Sequence, residues 1–379
     1  MTAIEFIYKR VIRPPIFWLT SNDPEKAHEF GLRALERLQE SPRLSSLARR
    51  CLMYNHDMLS TTAFGLHFSH PFGLAAGYDK YGRVYHGGVP LCGWGFCEVG
   101  GITAQEQSGN PREKGSPRIR RSLQHEAMWN WLGLNNPGAI KAAAAMHAHP
   151  FPNPPIRVGV NISKSHVTTP DDAPKDYAFT VSKLWAYADF IVIQWTCPND
   201  PGMKVLKRHD HQLAIAQKAQ EMNVLCARSV KSNPKPMGIK ISADDTDEEI
   251  ADTIDVCRKT GMRFIVAVNS TRKRGQCQGW GIPHHGGVTG KPLEQDANRI
   301  VRMLYGALRN SGIHIIGVGG IRNGATLYDR ILNGANVCEG FTAWPFEGPD
   351  FVKRCLEDLV ERLQSDNFTT VDQAVGKAL

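Results

Sequence analysis

His314-Ile315-Ile316-Gly317-Val318-Gly319-Gly320 and, further on, Val337-Cys338-Glu339-Gly340-Phe341-Thr342 read as two buried strands joined by a helix over 325–332. Each is a short apolar run ending on glycine or a small polar residue, and the helix between them marks a parallel crossover. The same alternation recurs upstream. Strands are expected at 72–76, 96–100, 157–161, 190–194, 237–241 and 264–268, besides 314–318 and 337–341. Helices are expected at 139–147, 177–187, 212–228, 247–259, 294–309 and 350–363. Eight buried strands separated by helices predict an α/β protein of the (β/α)8, or TIM barrel, type. The rival is an open doubly wound sheet, disfavoured because no strand runs into a G-x-G-x-x-G turn at a helix start. Two long connections, 101–138 and 197–211, exceed ordinary loop lengths and are expected to carry function.

The 379 residues hold 45 Lys and Arg against 37 Asp and Glu, a formal charge of +8. That excess favours anionic partners such as phosphate, carboxylate or acidic lipid. Nucleic acid is not expected, because no basic block with interleaved aromatics occurs. An apolar share of 42% and a charged share of 22% exclude disorder and a disulfide-knotted miniature. No run approaches the roughly 18 apolar residues that a membrane-spanning helix needs. The nine cysteines are scattered without a C-x-x-C pair, which predicts reduced thiols and no metal site.

Residues 1–40 differ from the rest and are expected to form an N-terminal amphipathic helical hairpin ahead of a barrel domain at 41–379. Asp23-Pro24-Glu25 is a helix start, with Asp as N-cap and Pro at the first helical position. Behind it Ala27, Phe30, Ala34, Leu35 and Leu38 fall on one face. Before it Ile4, Ile7 and Val11 suggest a short amphipathic segment that Pro14-Pro15 would end. Ile16-Phe17-Trp18-Leu19 is apolar and lies close to Lys9, Arg10 and Arg13. Such a hairpin suits either a membrane interface or a helical cap on the barrel. Glu5 breaks the acid-poor pattern of a mitochondrial presequence.

A barrel keeps its active site at the C-terminal strand ends. Those ends read Ala76-Gly77-Tyr78-Asp79-Lys80, Gly100-Gly101-Ile102-Thr103, Asn161, Gln194-Trp195-Thr196-Cys197-Pro198-Asn199, Lys240, Asn269-Ser270-Thr271, Gly319-Gly320 and Phe341-Thr342. Gly319-Gly320 with Phe341-Thr342 occupies the usual barrel phosphate position, and Gly286-Gly287-Val288-Thr289-Gly290 could complete that nest. A lysine at a barrel mouth, such as Lys80 or Lys240, forms a Schiff base, holds an anion or stabilises negative charge on a cofactor. The amides Asn130, Asn199 and Asn269 suit a flat ligand rich in carbonyls and N–H groups. Cys197 stands where a general base would stand. No strand end nearby supplies the histidine that a cysteine nucleophile needs. A thiol taking a proton α to a carbonyl needs only positive charge nearby.

At these residues the sequence resembles the dihydroorotate dehydrogenases, flavin enzymes of pyrimidine (UMP) biosynthesis. The resemblance rests on Gly73-Leu74-Ala75-Ala76-Gly77-Tyr78-Asp79-Lys80, Gly95-Phe96-Cys97-Glu98-Val99-Gly100, and Gly109-Asn110-Pro111 leading to Pro117-Arg118. It continues through Asn130-Trp131-Leu132-Gly133-Leu134-Asn135-Asn136, Gly159-Val160-Asn161-Ile162, Gly287-Val288-Thr289-Gly290-Lys291-Pro292-Leu293 and Gly317-Val318-Gly319-Gly320-Ile321.

The resemblance implies FMN held by Ala76, Gly77, Lys80, Gly100, Gly101, Asn161, Gln194, Lys240 and Val268, with its phosphate end at Gly290, Gly320, Phe341 and Thr342. It implies dihydroorotate held by Lys80, Asn130, Leu134, Gln194, Asn199, Asn269 and Ser270. Cys197 would take the C5 proton while hydride passes from C6 to flavin N5, with Lys80 and Lys240 completing the catalytic set. The 197–211 connection would act as a lid. The N-terminal hairpin resembles that of the membrane-associated class, which reduces quinone through a tunnel where His28 and Arg121 would lie. That class implies a peripheral protein on the cytoplasmic face of a bacterial inner membrane rather than a mitochondrial one. The chain departs from the family in four places. Cys197 stands for that class's serine, Gln194 for an asparagine, Val268 for a threonine and Gly101 for a Thr or Ser. Two alternatives follow: a flavin oxidoreductase acting on another cyclic amide such as a dihydropyrimidine, or a membrane-binding scaffold that has lost catalysis.

Overall fold

Eight parallel strands close into a barrel in the computed structural model, which describes residues 1–149, 152, 153, 155–196 and 201–378. In chain order they are Phe72–Leu74, Phe96–Ile102, Arg157–Ser163, Phe190–Gln194, Met237–Ser242, Phe264–Asn269, His314–Val318 and Val337–Gly340. Each pairs with its sequence neighbours, and the eighth closes on the first with Cys338 opposite Phe72 and Gly340 opposite Leu74. The first residue of every strand falls where the apolar pattern places it; only the C-terminal ends differ. Helices Gly138–Ala148, Ala173–Leu184, His209–Ser229, Asp247–Thr260, Glu294–Leu308 and Gly324–Leu332 fill six of the crossovers and Phe351–Ser365 follows the last strand, while the first crossover carries only the short helix Gly88–Leu91. Asp247–Thr260 shows why such segments are helical. A Thr246/Glu249 capping box opens it, and Gly261 ends it in the left-handed region at φ 71°.

Strand residues two apart share a face, and this parity builds the barrel interior in layers. Phe96, Phe190 and Phe264 form the lowest layer, each ring filling the space where a neighbouring glycine (Gly73, Gly159, Gly238) lacks a side chain. Below them the antiparallel hairpin Thr61–Ala63/Leu66–Phe68 plugs the barrel floor. Its Phe64 ring lies 4.5 Å from Phe264 and 5.6 Å from Phe190, and Phe68 lies 5.2 Å from Phe96. One step above the phenylalanines, the same parity brings Glu98, Asn161, Lys240 and Glu339 inward.

Several expectations need correction. Pro14-Pro15 does not end a helix. Ala3–Ile7, a π-helical turn over Tyr8–Ile12 and Arg13–Leu19 succeed one another without a break. The prolines fall at the start of the last segment, where no N–H is required of them, and the wide turn before them absorbs their rings. Helix Pro24–Glu40 follows, with Asp23 accepting from Glu25 and Lys26 N–H. Its edge of Leu32, Leu35 and Leu38 packs down, which leaves Phe30 exposed. A third helix, Pro42–Leu52, precedes the plug.

The 101–138 connection is not a plain loop. It carries the hairpin Ile119–Ser122/Ala127–Asn130, and Gly287–Gly290 adds a third antiparallel strand, with Gly287 opposite Asn130. Within 197–211, the described part is a 3-10 helix, Pro201–Lys207, and the next helix begins at His209. Met203 and Leu206 are buried, and Lys207 pairs with Asp245.

Candidate active site

A cavity of about 350 Å³ opens at the C-terminal mouth, within the roughly 300–1,000 Å³ usual for ligand pockets. Its first end is lined by Thr289, Gly290, Gly319, Gly320, Phe341 and Thr342. Gly320 adopts φ 78°, and a Cβ there would lie 2.5 Å from Glu294 Cα, so only glycine keeps this turn. The buried Arg330 guanidinium holds the turn from behind, donating to the Val318 carbonyl at 2.9 Å and the Gly319 carbonyl at 2.7 Å. Thr342 Oγ1 donates to Thr289 Oγ1 at 3.2 Å, tying the eighth strand end to the added sheet.

The middle of the cavity is lined by Ala76, Gly77, Gly101, Gln194, Lys240 and Val268. Gly100 is not among the lining residues. Its carbonyl accepts from Gly77 N–H at 2.7 Å and its N–H donates to the Asp79 carbonyl at 3.1 Å, which locks the first two strand ends together. Gly101 has a local reason. A Cβ there would lie 3.2 Å from Leu134 Cδ2 and 3.3 Å from Asn161 Oδ1, so Leu134 takes the space a hydroxyl side chain would use. Asn161 sits one layer lower, its Nδ2 donating to Glu98 Oε2 at 2.9 Å. Lys240 is buried, yet its pKa lies above the ordinary value. Burial works against its charge, and Glu98 and Glu339 more than offset that.

Lys80, Asn130, Leu134, Asn269 and Ser270 line the outer part of the mouth. Lys80 Nζ donates to Asn135 Oδ1 at 2.7 Å. Asn269 Nδ2 donates to the Thr196 carbonyl at 3.3 Å while its Oδ1 accepts from Ser270 N–H at 2.8 Å, so the amide is oriented by backbone. Cys197 and Asn199 lie outside the described residues. From the mouth the cavity reaches Glu25, His28, Glu29 and Leu32 on helix Pro24–Glu40. Burial, reinforced by the charge of Lys80, pulls the His28 pKa down to about 4, so this wall is uncharged at its imidazole near neutral pH. Arg121 is not among the lining residues. Its guanidinium lies 3.2 Å from the Phe17 ring centroid, pinning helix Arg13–Leu19 to the added sheet.

Five residues that shape this site carried no role in the sequence reading: Glu98, Glu339, Asn135, Asp79 and Arg330. Asp79 accepts from the N–H groups of Arg83, Val84 and Tyr85 and so holds the turn bearing Lys80. Glu98 and Glu339 had a readable signal. Both are acids inside apolar strands, with the parity of Phe96 and Phe341 respectively.

A closed (β/α)8 barrel with a glycine-lined turn, a buried lysine and convergent amides around a cavity at its C-terminal mouth has the arrangement of a barrel enzyme. Residues 58–363 match the family model described as dihydroorotate dehydrogenase. The chain is 34% identical over 359 residues to the dihydroorotate dehydrogenase (quinone) of Halobacterium salinarum, covering 94% of this chain and 96% of that one. It is 35% identical over 359 residues to the dihydroorotate dehydrogenase (quinone) of Rhodospirillum rubrum, covering 93% and 91%. The crystal structure of ligand-free DHODH from Eimeria tenella superposes with a TM-score of 0.80 at 28% identity, over 94% of this chain and 99% of that one. The chain belongs to the dihydroorotate dehydrogenase family.

Proposed function

We propose that this protein oxidises dihydroorotate to orotate with a bound FMN and passes the electrons to a quinone at a membrane surface. The carrying observation is one continuous cavity. It joins the glycine-lined anion end, Lys240 and the amide-lined mouth, and continues to helix Pro24–Glu40. The residues present fit FMN, since the turn at Gly320 has no room for a side chain and leaves backbone for a single terminal phosphate. No dinucleotide fingerprint is available for an adenosine half. When bound, the flavin supplies the hydride acceptor and the relay to the quinone.

The chain's own residues do the rest. Lys80 and the amides of Asn130, Asn199 and Asn269 hold the substrate's carboxylate and ring amides. Lys240 would bring its ammonium to the cofactor site, and Cys197 would take the proton from C5. Pro201–Lys207 anchors the lid. Residues 1–40 form the membrane-facing unit, with His28 on the quinone route and Arg121 bracing it through Phe17. The lipid-facing reading is supported by Phe6, Ile7, Val11, Ile12, Trp18 and Leu19, all exposed on the first helical stretch beside Lys9, Arg10 and Arg13. Attachment would be peripheral, at the cytoplasmic face of a bacterial inner membrane; among the described residues no helix is long and apolar enough to cross one.

Acid release of the chromophore followed by chromatography should yield FMN, and FAD or no flavin after reconstitution would overturn this reading. The same preparation, given a soluble quinone analogue, should turn over dihydroorotate and not dihydrouracil. The reverse preference would make Gln194, which lines the cavity, the sign of a dihydropyrimidine enzyme.

A further inference from the structure

Three ionisable side chains meet in the layer directly below the cavity. Lys240 Nζ lies 3.4 Å from Glu98 Oε2 and 3.8 Å from Glu339 Oε2, and all three residues are buried. Glu339 also lines the cavity. The apolar rings of Phe96, Phe190 and Phe264 lie beneath, so this layer is dry on its lower side. Two carboxylates against one ammonium would leave an uncompensated charge in a medium that solvates charge poorly. The hydrogen-bond inventory points the same way. Asn161 satisfies Glu98 Oε2, but Glu98 Oε1 and both oxygens of Glu339 have no donor if both groups are ionised, since a carboxylate only accepts. Both carboxyl groups converge on the same Lys240 ammonium, at 3.4 and 3.8 Å, and one proton held between them would supply the missing donor.

We propose that Glu98 and Glu339 share one proton, so that Lys240, Glu98 and Glu339 form a neutral triad under the cofactor site and Glu339 serves as a positioning residue for Lys240. One carboxyl O–H donates to a carboxylate oxygen of the other, and the single remaining negative charge faces the Lys240 ammonium. Burial and the charge of Glu98 push Glu339 well above the ordinary carboxylate range, with Lys240 acting in the opposite direction. A cofactor above this layer meets a compensated lysine instead of a bare ammonium. That consequence rests on the flavin reading; the shared proton does not.

Infrared spectroscopy of the full-length, flavin-loaded protein near neutral pH tests the proton directly. A shared proton gives a carboxylic-acid C=O band that shifts on deuteration and on carbon-13 labelling of glutamate. The band should be lost in both Glu98→Gln and Glu339→Gln, because the one carboxyl left opposite Lys240 then ionises. Loss in both ties the proton to the two carboxyls facing Lys240, whereas a band that survives either change would overturn the proposal. Redox titration of the flavin supplies the second readout. Glu339→Gln keeps the triad neutral, so the midpoint potential should stay at the wild-type value, whereas a rise would show that a full negative charge had been removed. The labelled wild-type protein decides the matter even if neither variant folds, since absence of the band there overturns the proposal. A preparation containing no flavin would defeat the functional reading while leaving the infrared result to stand alone.

Discussion

Cys197 follows Thr196, whose hydroxyl donates to the Lys240 carbonyl at 3.1 Å and whose own carbonyl accepts from Asn269. The chain therefore reaches position 197 from a residue tied to two others that line the cavity, and the proposed role of the thiol as base is open to direct test. A free thiol has a pKa of about 8.5, far below that of a serine hydroxyl, so a thiolate is populated nearer neutrality. Cys197→Ala should bind FMN and orotate normally yet slow flavin reduction by at least about 100-fold, the usual scale for losing a general base. Cys197→Ser should keep partial activity with its optimum moved to higher pH. Stopped-flow reduction across pH would show it, and an alanine variant reducing its flavin at the wild-type rate would reduce Cys197 to a packing residue. At this scale residue type was informative and partnership was not. Lys80 and Lys240 stand out by their charge at strand ends, but the bond from Lys80 to Asn135 spans a long connection that local pattern does not describe.

The first helical stretch displays Trp18 at 78% exposure, Leu19 at 66% and Val11 at 59%. Deleting residues 1–40 is a blunt test of what that face does. Leu32 and Leu35 are buried, Gln39 Nε2 donates to the Arg83 carbonyl, and the Arg83 guanidinium pairs with both Glu29 and Glu36. Removing the segment would uncover the barrel as well as take away the exposed apolar face. Trp18→Ser with Leu19→Ser changes only the tip. Burying such a side chain contributes about 1.5–3 kcal/mol, so partition onto anionic vesicles should fall at least about 10-fold. Reduction of a soluble dye by dihydroorotate should stay near wild type. Unchanged vesicle binding would make this helix a cap and nothing more. Element identity was largely legible here, because Asp23-Pro24-Glu25 signals its helix in the residues themselves. The unbroken run through Pro14-Pro15 was not, since it depends on a π turn that sequence period does not mark.

For the whole molecule, closure is the decisive event, and the phenylalanine layer with its plug makes the closed barrel a filled one. Phe64 contributes from outside the eight strands, meeting Phe68, Phe190 and Phe264. Phe64→Ala should destabilise by about 3–5 kcal/mol. For a chain of this length that corresponds to a fall of roughly 5 °C in Tm. KM for dihydroorotate should not move, because the plug lies at the end of the barrel opposite the cavity. Scanning calorimetry with steady-state kinetics checks both halves. An unchanged Tm would show that the floor packs without it.

The residues alone determined where every barrel strand begins, where most crossover helices run and which strand ends carry glycine, lysine and amide. Each of those follows from local period, capping or chemical type over a few consecutive residues. Only the tertiary structure decided that Leu134 would fill the space beside Gly101, that Arg121 would lie on Phe17, and that Glu98 and Glu339 would face Lys240. Glu98 and Lys240 are 142 residues apart in the chain. They meet because a closed eight-stranded sheet turns a separation along the sequence into a position around a circle, which neither residue's neighbours encode.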